Sequence, residues 1–282
     1  MTADPKILTP AYYQRLYDIE QTHGWSRGMR TLAGALLDPI AATRTSWRIL
    51  DVGCGTGAML TWLRRFPGAT IVGLDFSADA LTFCQSVPGR TLVQGSALEL
   101  PFPDHSFDLV VSTDVLQHLP NPDGDRVALR ETLRVLDRNG YVYIRTNSQF
   151  GLGSPAGEEG ASYRRYALGE LGASLRATGF AVERLTYANA IPSLLAIARD
   201  QLTRQARRAR TRDLGLRLQV RPASLRWVDA SLARLLAVEA LYIGKLKRPL
   251  PFGHSMVALG RKTEVAPARA LALGSNDRSA SR

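Results

Sequence analysis

Short apolar runs alternate with segments of helical periodicity along the middle of the chain. Each run has the length of a strand buried on both faces, and the intervening segments can form helices that cross back over a sheet. This alternation predicts right-handed βαβ units and therefore a parallel sheet with helices on both faces. Five such runs lie at residues 47–52, 69–74, 91–94, 107–111 and 141–144.

The two ends of the chain extend this pattern. Tyr12, Leu16 and Ile19 recur at helical spacing, and with residues 26–37 they predict two helices before the first strand. After a helix expected at 168–178, residues 180–187 and 255–259 are predicted to form the sixth and seventh strands. We therefore expect an α/β fold with a doubly wound, mostly parallel seven-stranded sheet and a helical insertion before the last strand.

Composition excludes several classes of protein. Of 282 residues, 45% are hydrophobic and 22% are charged, as in ordinary folded domains rather than disordered or collagen-like chains. Cys54 and Cys84 stand alone, without metal-ligand spacing, so neither a disulfide framework nor a metal site is predicted. The first residues lack the apolar segment of a signal peptide, and no run approaches a membrane span, so a cytoplasmic location is expected.

The net charge of +11 is unevenly distributed. Much of the excess lies between Arg199 and Arg226, where arginines are interleaved with leucines. Such a basic segment can contact an anionic membrane or guide a phosphorylated small molecule, and a solvated helix face is an equally good interpretation. No aromatic platform for base stacking accompanies it, so no clear nucleic-acid site is predicted. The oligomeric state stays open.

The first predicted strand ends in a glycine-rich loop that opens a helix. Gly53 and Gly55 permit a tight turn and close approach of a ligand, and Asp75 is placed to bond a ribose diol. This much fits a nicotinamide dinucleotide as well as other adenosine cofactors. Asp51 separates them, because a carboxylate there would repel a pyrophosphate but suits a cofactor carrying an ammonium and a sulfonium.

With these residues the sequence resembles the class I, Rossmann-like S-adenosylmethionine-dependent methyltransferases. The resemblance is specific over residues 47–146 and is carried by 49–57 (ILDVGCGTG), 72–77, 95–101, 107–112 and 133–140. Segments nearer the ends, at 163–166, 179–180 and 251–255, are similar to bacterial relatives that act on small molecules or glycolipid precursors.

The resemblance implies S-adenosylmethionine as the cofactor and assigns residues to it. Asp75 should bond both ribose hydroxyls, Phe76 should pack on the adenine, and Thr113 should close the pocket beneath the sulfonium. Many relatives have an aspartate where Ser96 stands, which implies a weaker or water-mediated contact to the adenine amino group. For Ser96 and Thr113 a capping or packing role is an equally good interpretation. The implied cofactor residues are Asp51, Gly53, Cys54, Gly55, Asp75, Phe76, Ser96, Ala97 and Thr113.

The expected reaction is methyl transfer to an oxygen, nitrogen or carbon atom of a small-molecule acceptor, with glycolipids and natural products among the candidates. His118 follows the fourth strand, at the edge where open α/β sheets bind ligands, and is the candidate general base. A structural role for His118 is an equally good interpretation, and Asp114 and Gln117 are alternatives. Two competing functions are a nicotinamide-dependent oxidoreductase and a basic membrane- or RNA-binding module with a vestigial cofactor fold.

These expectations divide the chain into four parts. Residues 1–46 should form an N-terminal helical lid over the cofactor. Residues 47–190 and 251–262 should form the cofactor-binding core. Residues 191–250 should be a helical basic insertion that caps the acceptor site, and the tail at 263–282 is predicted to be disordered. Two helices are expected in the insertion, each with an apolar stripe through which the two can pack together, and the second stripe consists of Val228, Leu232, Leu235, Leu236 and Tyr242.

Overall fold

A seven-stranded mixed sheet forms the centre of the protein. The computed structural model describes residues 9–89, 91–120, 122–149, 164–195, 220–246 and 248–263. The strand order is β3-β2-β1-β4-β5-β7-β6. The strands are β1 (Trp47–Val52), β2 (Ala69–Asp75), β3 (Thr91–Gln94), β4 (Phe107–Thr113), β5 (Leu136–Asn147), β6 (Phe180–Ala188) and β7 (Ser255–Lys262).

The first five strands are parallel, and β7 runs antiparallel between β5 and β6. This arrangement confirms the predicted doubly wound, mostly parallel sheet. Register places Asp51 of β1 beside Gly73 of β2 and Val111 of β4. The carboxyl ends of these strands therefore meet at one edge, the place where open α/β sheets bind ligands.

Eight helices surround the sheet in the described part of the chain. Two of them begin at residues with a hydroxyl that can cap a helix: the side chains of Thr9 and Ser77 accept hydrogen bonds from the first turns of α1 and α4. The helices are α1 (Pro10–Thr22), α2 (Gly24–Ala41), α3 (Ala58–Leu63), α4 (Ala78–Phe83), α5 (Gly124–Val135), α6 (Leu168–Thr178), α7 (residues 190–195) and α8 (Arg226–Leu246). None of them combines the length and apolar character needed to cross a membrane.

Alternate residues of the central strands supply two hydrophobic cores. Ile49 of β1 belongs to the core that α2, α3 and α8 cover, whereas its neighbour Leu50 belongs to the core that α5 and α6 cover. The period of two along the strand thus assigns each side chain to one face. Both faces are apolar because helices bury both of them.

Helix α8 lies against α2, and the two helices run parallel. Gly28 permits the close contact, since a Cβ atom there would lie 2.4 Å from Leu236 Cδ1. Gly244, nearer the end of α8, faces Ala35 in the same way. At the other end the Gly24 amide donates to Asp229 Oδ1 at 2.9 Å, so a side chain of α8 satisfies the first turn of α2.

The structure differs from the sequence prediction in two details. The insertion helix α8 packs on α2 through Leu236, Ala240 and Ile243, so Leu235 and Tyr242, predicted as part of an inward stripe, lie on its exposed side. The fifth strand begins at Leu136 instead of residue 141.

Several predictions are not tested by the described structure. The arginines from 199 to 217 and residues 264–282 of the tail lie outside the described residues. The lid and cap roles stay predictions.

Candidate active site

The glycine loop after β1 adopts a backbone that only glycine accommodates easily. Gly53, Gly55 and Gly57 have φ values of 72°, 54° and 88°, in the left-handed region. A Cβ atom on Gly53 would lie 2.2 Å from Val115 Cγ2. The Gly53 and Cys54 amides both donate to the Leu74 carbonyl, at 2.7 and 3.0 Å, and tie the loop to the end of β2.

Asp75, the last residue of β2, links this loop to the start of α4. Its Oδ2 accepts from the Gly55 amide at 2.8 Å, and its Oδ1 accepts from the Ser77 amide at 2.9 Å. The next side chain, Phe76, is 71% exposed. The sheet edge therefore offers a braced carboxylate and a free aromatic face side by side, the two groups expected to meet a ribose and an adenine.

Asp51 lies beneath the loop and is the least satisfied charged group of the site. It is completely buried, and neither carboxylate oxygen has a hydrogen-bond partner in the described part of the chain. Burial raises the pKa of Asp51 to about 8, with Glu20 and Asp75 acting in the same direction and Arg145 opposing them. A buried acid without donors is a site prepared for a cationic ligand.

Glu20 reaches the same cleft from helix α1, and the sequence reasoning missed it. The Thr56 hydroxyl, in the glycine loop, donates to its carboxylate. Burial raises the pKa of Glu20 to about 7, against the opposing effects of Thr56, Arg145 and Arg30. A signal was present, because Glu20 follows the buried Tyr13 by seven residues and so lies on the same side of an amphipathic helix.

Helix α1 runs along the cofactor edge of the sheet. Tyr13 is hydrogen-bonded to Ser77, and burial raises the pKa of its phenol. A Cβ atom on Gly55 would point toward α1 and lie 3.8 Å from Leu16. The space between the glycine loop and α1 is thus bordered by backbone on one side and by Tyr13, Leu16 and Glu20 on the other.

A second charged group occupies the cleft at the ends of β4 and β5. Arg145 Nε donates to Asp114 Oδ1 at 3.2 Å, and a second bond joins the same two side chains. Burial acts to lower the pKa of Arg145, but Asp114 holds it above its usual value. The Trp25 ring covers the guanidinium, with 5.0 Å between the ring centroid and Cζ. Trp25 Nε1 and the Tyr143 hydroxyl are buried without hydrogen-bond partners among the described residues.

His118 lies beyond β4 in a single helical turn, Leu116–His118. The residue is exposed, and partial desolvation of its ring lowers the pKa from its usual value, whereas Asp114 acts in the opposite direction. A lowered pKa favours the neutral imidazole, the form that a general base requires. Its neighbour Gln117 has a structural role, because Oε1 accepts from the Asn147 amide at 3.0 Å.

The remaining predicted residues lie at the same edge of the sheet and differ in their burial and in their hydrogen bonds. Cys54 is buried and its thiol packs beside Cys84, so only its backbone faces the cleft side of the loop. Ser96 Oγ accepts from the Leu98 amide at 3.1 Å, which is the capping role among its two interpretations. Ala97 and Thr113 are half-buried.

The site thus combines a left-handed glycine loop, a braced acid at the end of β2 and an unpartnered buried acid at the end of β1. Residues 50–144 match the family described as a methyltransferase domain. The chain is 42% identical over 98 residues to a fatty-acid O-methyltransferase of Mycolicibacterium smegmatis, covering 33% of this chain and 35% of the relative. It is 37% identical over 111 residues to a sterol 24-C-methyltransferase of Yarrowia lipolytica, covering 36% and 28%.

Similarity of fold extends further along the chain than similarity of sequence. A phosphoethanolamine N-methyltransferase of Haemonchus contortus, solved with S-adenosylmethionine, superimposes with a TM-score of 0.55 at 19% identity, over 91% of this chain and 58% of that one. The chain thus covers 35% and 28% of the length of these two curated relatives. Fold, sequence and site agree: the protein carries a class I S-adenosylmethionine-dependent methyltransferase domain.

Proposed function

We propose that the protein transfers a methyl group from S-adenosylmethionine to a small-molecule acceptor. The proposal rests on the state of Asp51, which lies beside the glycine loop. Its two carboxylate oxygens are buried and receive no hydrogen bond from the described residues. An ammonium supplies the donors and the positive charge that this carboxylate lacks, which a dinucleotide phosphate does not. We assign Asp75 to the ribose and Phe76 to the adenine of the same cofactor.

The chemistry of the residues at this edge of the sheet matches the groups of the cofactor. Asp51 and the backbone of Gly53 to Gly55 would hold the methionyl part, and Asp75 would exchange a backbone amide for a ribose hydroxyl. Ser96, Ala97 and Thr113 would border the adenine and sulfonium. The bound cofactor supplies an activated methyl group, so the chain must mainly align the acceptor and exclude water.

We propose His118 as the base that receives the acceptor's proton where the acceptor carries one. Its lowered pKa favours the neutral ring, and it lies on the same edge of the sheet as Asp114 and Arg145. Cys54, by contrast, would contribute its backbone alone.

The acceptor class we propose is a molecule with a large hydrocarbon part. Two curated relatives are named for a fatty acid and a sterol, both of which have this character. On the proposed lid side of the cleft, Trp25 and Leu16 supply apolar surface. We also propose a cytoplasmic location, and contact of the Arg199 to Arg226 segment with an anionic membrane or phosphorylated acceptor. Within that segment Arg221 donates to the buried Asp229, so its charge is already paired inside the protein.

Calorimetric titration with S-adenosylhomocysteine tests the cofactor assignment. Asp75→Ala should abolish binding, and Asp75→Asn, which retains one acceptor oxygen, should weaken it less. Glu99→Gln, an exposed carboxylate near β3, is the matched control and should bind as the parent does. Thermal denaturation shows whether each variant is folded. Unchanged affinity in folded Asp75→Ala, or binding of NAD instead, would overturn the proposal. Isotopically labelled S-adenosylmethionine offered with a metabolite pool then identifies the acceptor.

A further inference from the structure

The outer side of helix α8 carries an unusual combination of side chains. Trp227, Val238 and Leu241 are 66%, 60% and 57% exposed, and Leu235 and Tyr242 are exposed to a smaller degree. Trp227, Leu235, Val238 and Tyr242 are separated by eight, three and four residues, and Leu241 follows Val238 by three, so all five lie on one side of the helix. The core residues Leu236, Ala240 and Ile243 lie on the opposite side. We call these five exposed residues, together with Arg234 and Lys245 on the same side of the helix, the α8 outer face.

The charges of α8 are separated between its two sides. Its acids, Asp229 and Glu239, are buried, the first bonded to Gly24 and Arg221 and the second to the Asn189 and Ile191 amides. The exposed charges of the helix are all cations, Arg226, Arg234 and Lys245. The outer face is therefore apolar, aromatic and positively charged, with no negative group of the helix on it.

We propose that the α8 outer face docks on an anionic phospholipid surface. Aromatic and aliphatic side chains enter the boundary between headgroups and acyl chains, while long cationic side chains reach the phosphates. A second copy of the chain fits less well. A symmetric pairing of this face would set Arg234 and Lys245 against their own copies, with no acid of α8 available to neutralise them.

One end of the α8 outer face lies near the edge of the cleft. Helices α2 and α8 are parallel, so the Trp227 end of α8 lies beside the start of α2, where Trp25 covers Arg145 at the edge of the cleft. Docking would bring that edge close to the lipid surface. The inference rests on α8 alone and stands whether or not the proposed acceptor is a lipid.

Flotation of the full chain with vesicles tests the proposal. Vesicles of phosphatidylcholine with phosphatidylglycerol should bind the protein, and vesicles of phosphatidylcholine alone should bind it weakly. Val238→Ser with Leu241→Ser should lower the partition coefficient at least about tenfold, because two apolar side chains no longer leave water. Arg234→Gln with Lys245→Gln should lower it comparably and weaken its salt dependence.

The control is Arg138→Gln, which removes an exposed cation on β5 away from α8 and should leave vesicle binding unchanged. Affinity for S-adenosylhomocysteine should be equal in all these variants, so a failed cofactor assignment and a failed docking surface are distinguishable. Binding of the parent to neither vesicle, or retention of binding in both double variants, would overturn the proposal. So would a dimer that the Val238→Ser, Leu241→Ser variant dissociates, since the occupant would then be a second copy.

Discussion

The raised pKa values of Asp51 and Glu20 predict how the stability of the ligand-free protein depends on pH. Asp51 has a pKa of about 8 in the folded chain and about 3.9 in an unfolded chain. Between these values the folded state keeps a proton that the unfolded state has lost. The stabilisation is therefore complete at low pH and is lost as pH rises through the folded pKa. Glu20, with a pKa of about 7, acts in the same direction.

The size of the effect follows from the shift. Each pH unit in the interval costs at most about 1.4 kcal/mol for one carboxyl, so Asp51 accounts for up to about 4 kcal/mol between pH 5 and pH 8. Solvent relaxation around a buried charge reduces this free energy. If about half of it remains, roughly 2 kcal/mol, the melting temperature changes by about 5 °C, because 1 kcal/mol corresponds to about 2–4 °C.

Asp51→Asn isolates this contribution, because asparagine keeps the shape and does not ionise. The variant should melt close to the parent at pH 5 and about 5 °C above it at pH 8. Thermal denaturation of ligand-free protein at constant ionic strength measures both, with Glu99→Gln as the control for the loss of one exposed charge. Parallel pH profiles for the parent and Asp51→Asn would refute the reasoning.

Ligand binding provides a second, independent readout of the same group. A cation placed beside Asp51 favours its ionised form, so the parent should release protons when S-adenosylhomocysteine binds at pH 7. Calorimetry in two buffers of different ionisation enthalpy counts them. Asp51→Asn should release fewer protons and bind more weakly.

Three further predictions address the rest of the fold and the site. Gly28→Val should lower stability by about 1–3 kcal/mol, because its side chain would overlap Leu236, whereas Gly169→Ala, with nothing within 4 Å, should be neutral in the same thermal melts. Hydrogen bonds from Arg48 and ion pairs with Arg48 and Arg44 hold the pKa of Asp108 below its usual value despite burial. Asp108→Asn should therefore lower the free energy of unfolding by about 1–3 kcal/mol near pH 7. In acid denaturation the difference between parent and variant should vanish as pH falls through that lowered pKa. His118→Ala should lower kcat with unchanged S-adenosylhomocysteine affinity once an acceptor is known, and equal turnover in the variant would make His118 structural.

The sheet could be predicted because its signals are local. Apolar runs of strand length, the glycines after β1 and the acids at 51 and 75 all lie within short segments whose order defines the topology. Glu20 and Arg145 could not be found in this way. Each becomes a site residue only because a distant element, the glycine loop for Glu20 and Trp25 with Asp114 for Arg145, folds against it.

Local sequence was also insufficient to predict which side of α8 faces the core. Leucines at helical spacing predicted the helix, but Leu235 and Leu236 are neighbours on opposite sides, and only the contact of Leu236 with Gly28 decides which side is inner. The glycine in α2 marks the contact once the fold is known. Leu236, which fills the space at Gly28, lies more than two hundred residues away in the chain, so no local pattern could identify it.

That separation has a consequence for biosynthesis. The first turn of α2 is completed by Asp229, 205 residues later in the chain, and the core beneath α2 is closed by Leu236 and Ile243. Helix α2 emerges from the ribosome before α8 yet cannot finish docking until Asp229, Leu236 and Ile243 have been translated. Contacts of this range slow folding and leave apolar surface open in the nascent chain. A chain interrupted before α8 should therefore depend on chaperones although every segment of the glycine-loop motif is already present.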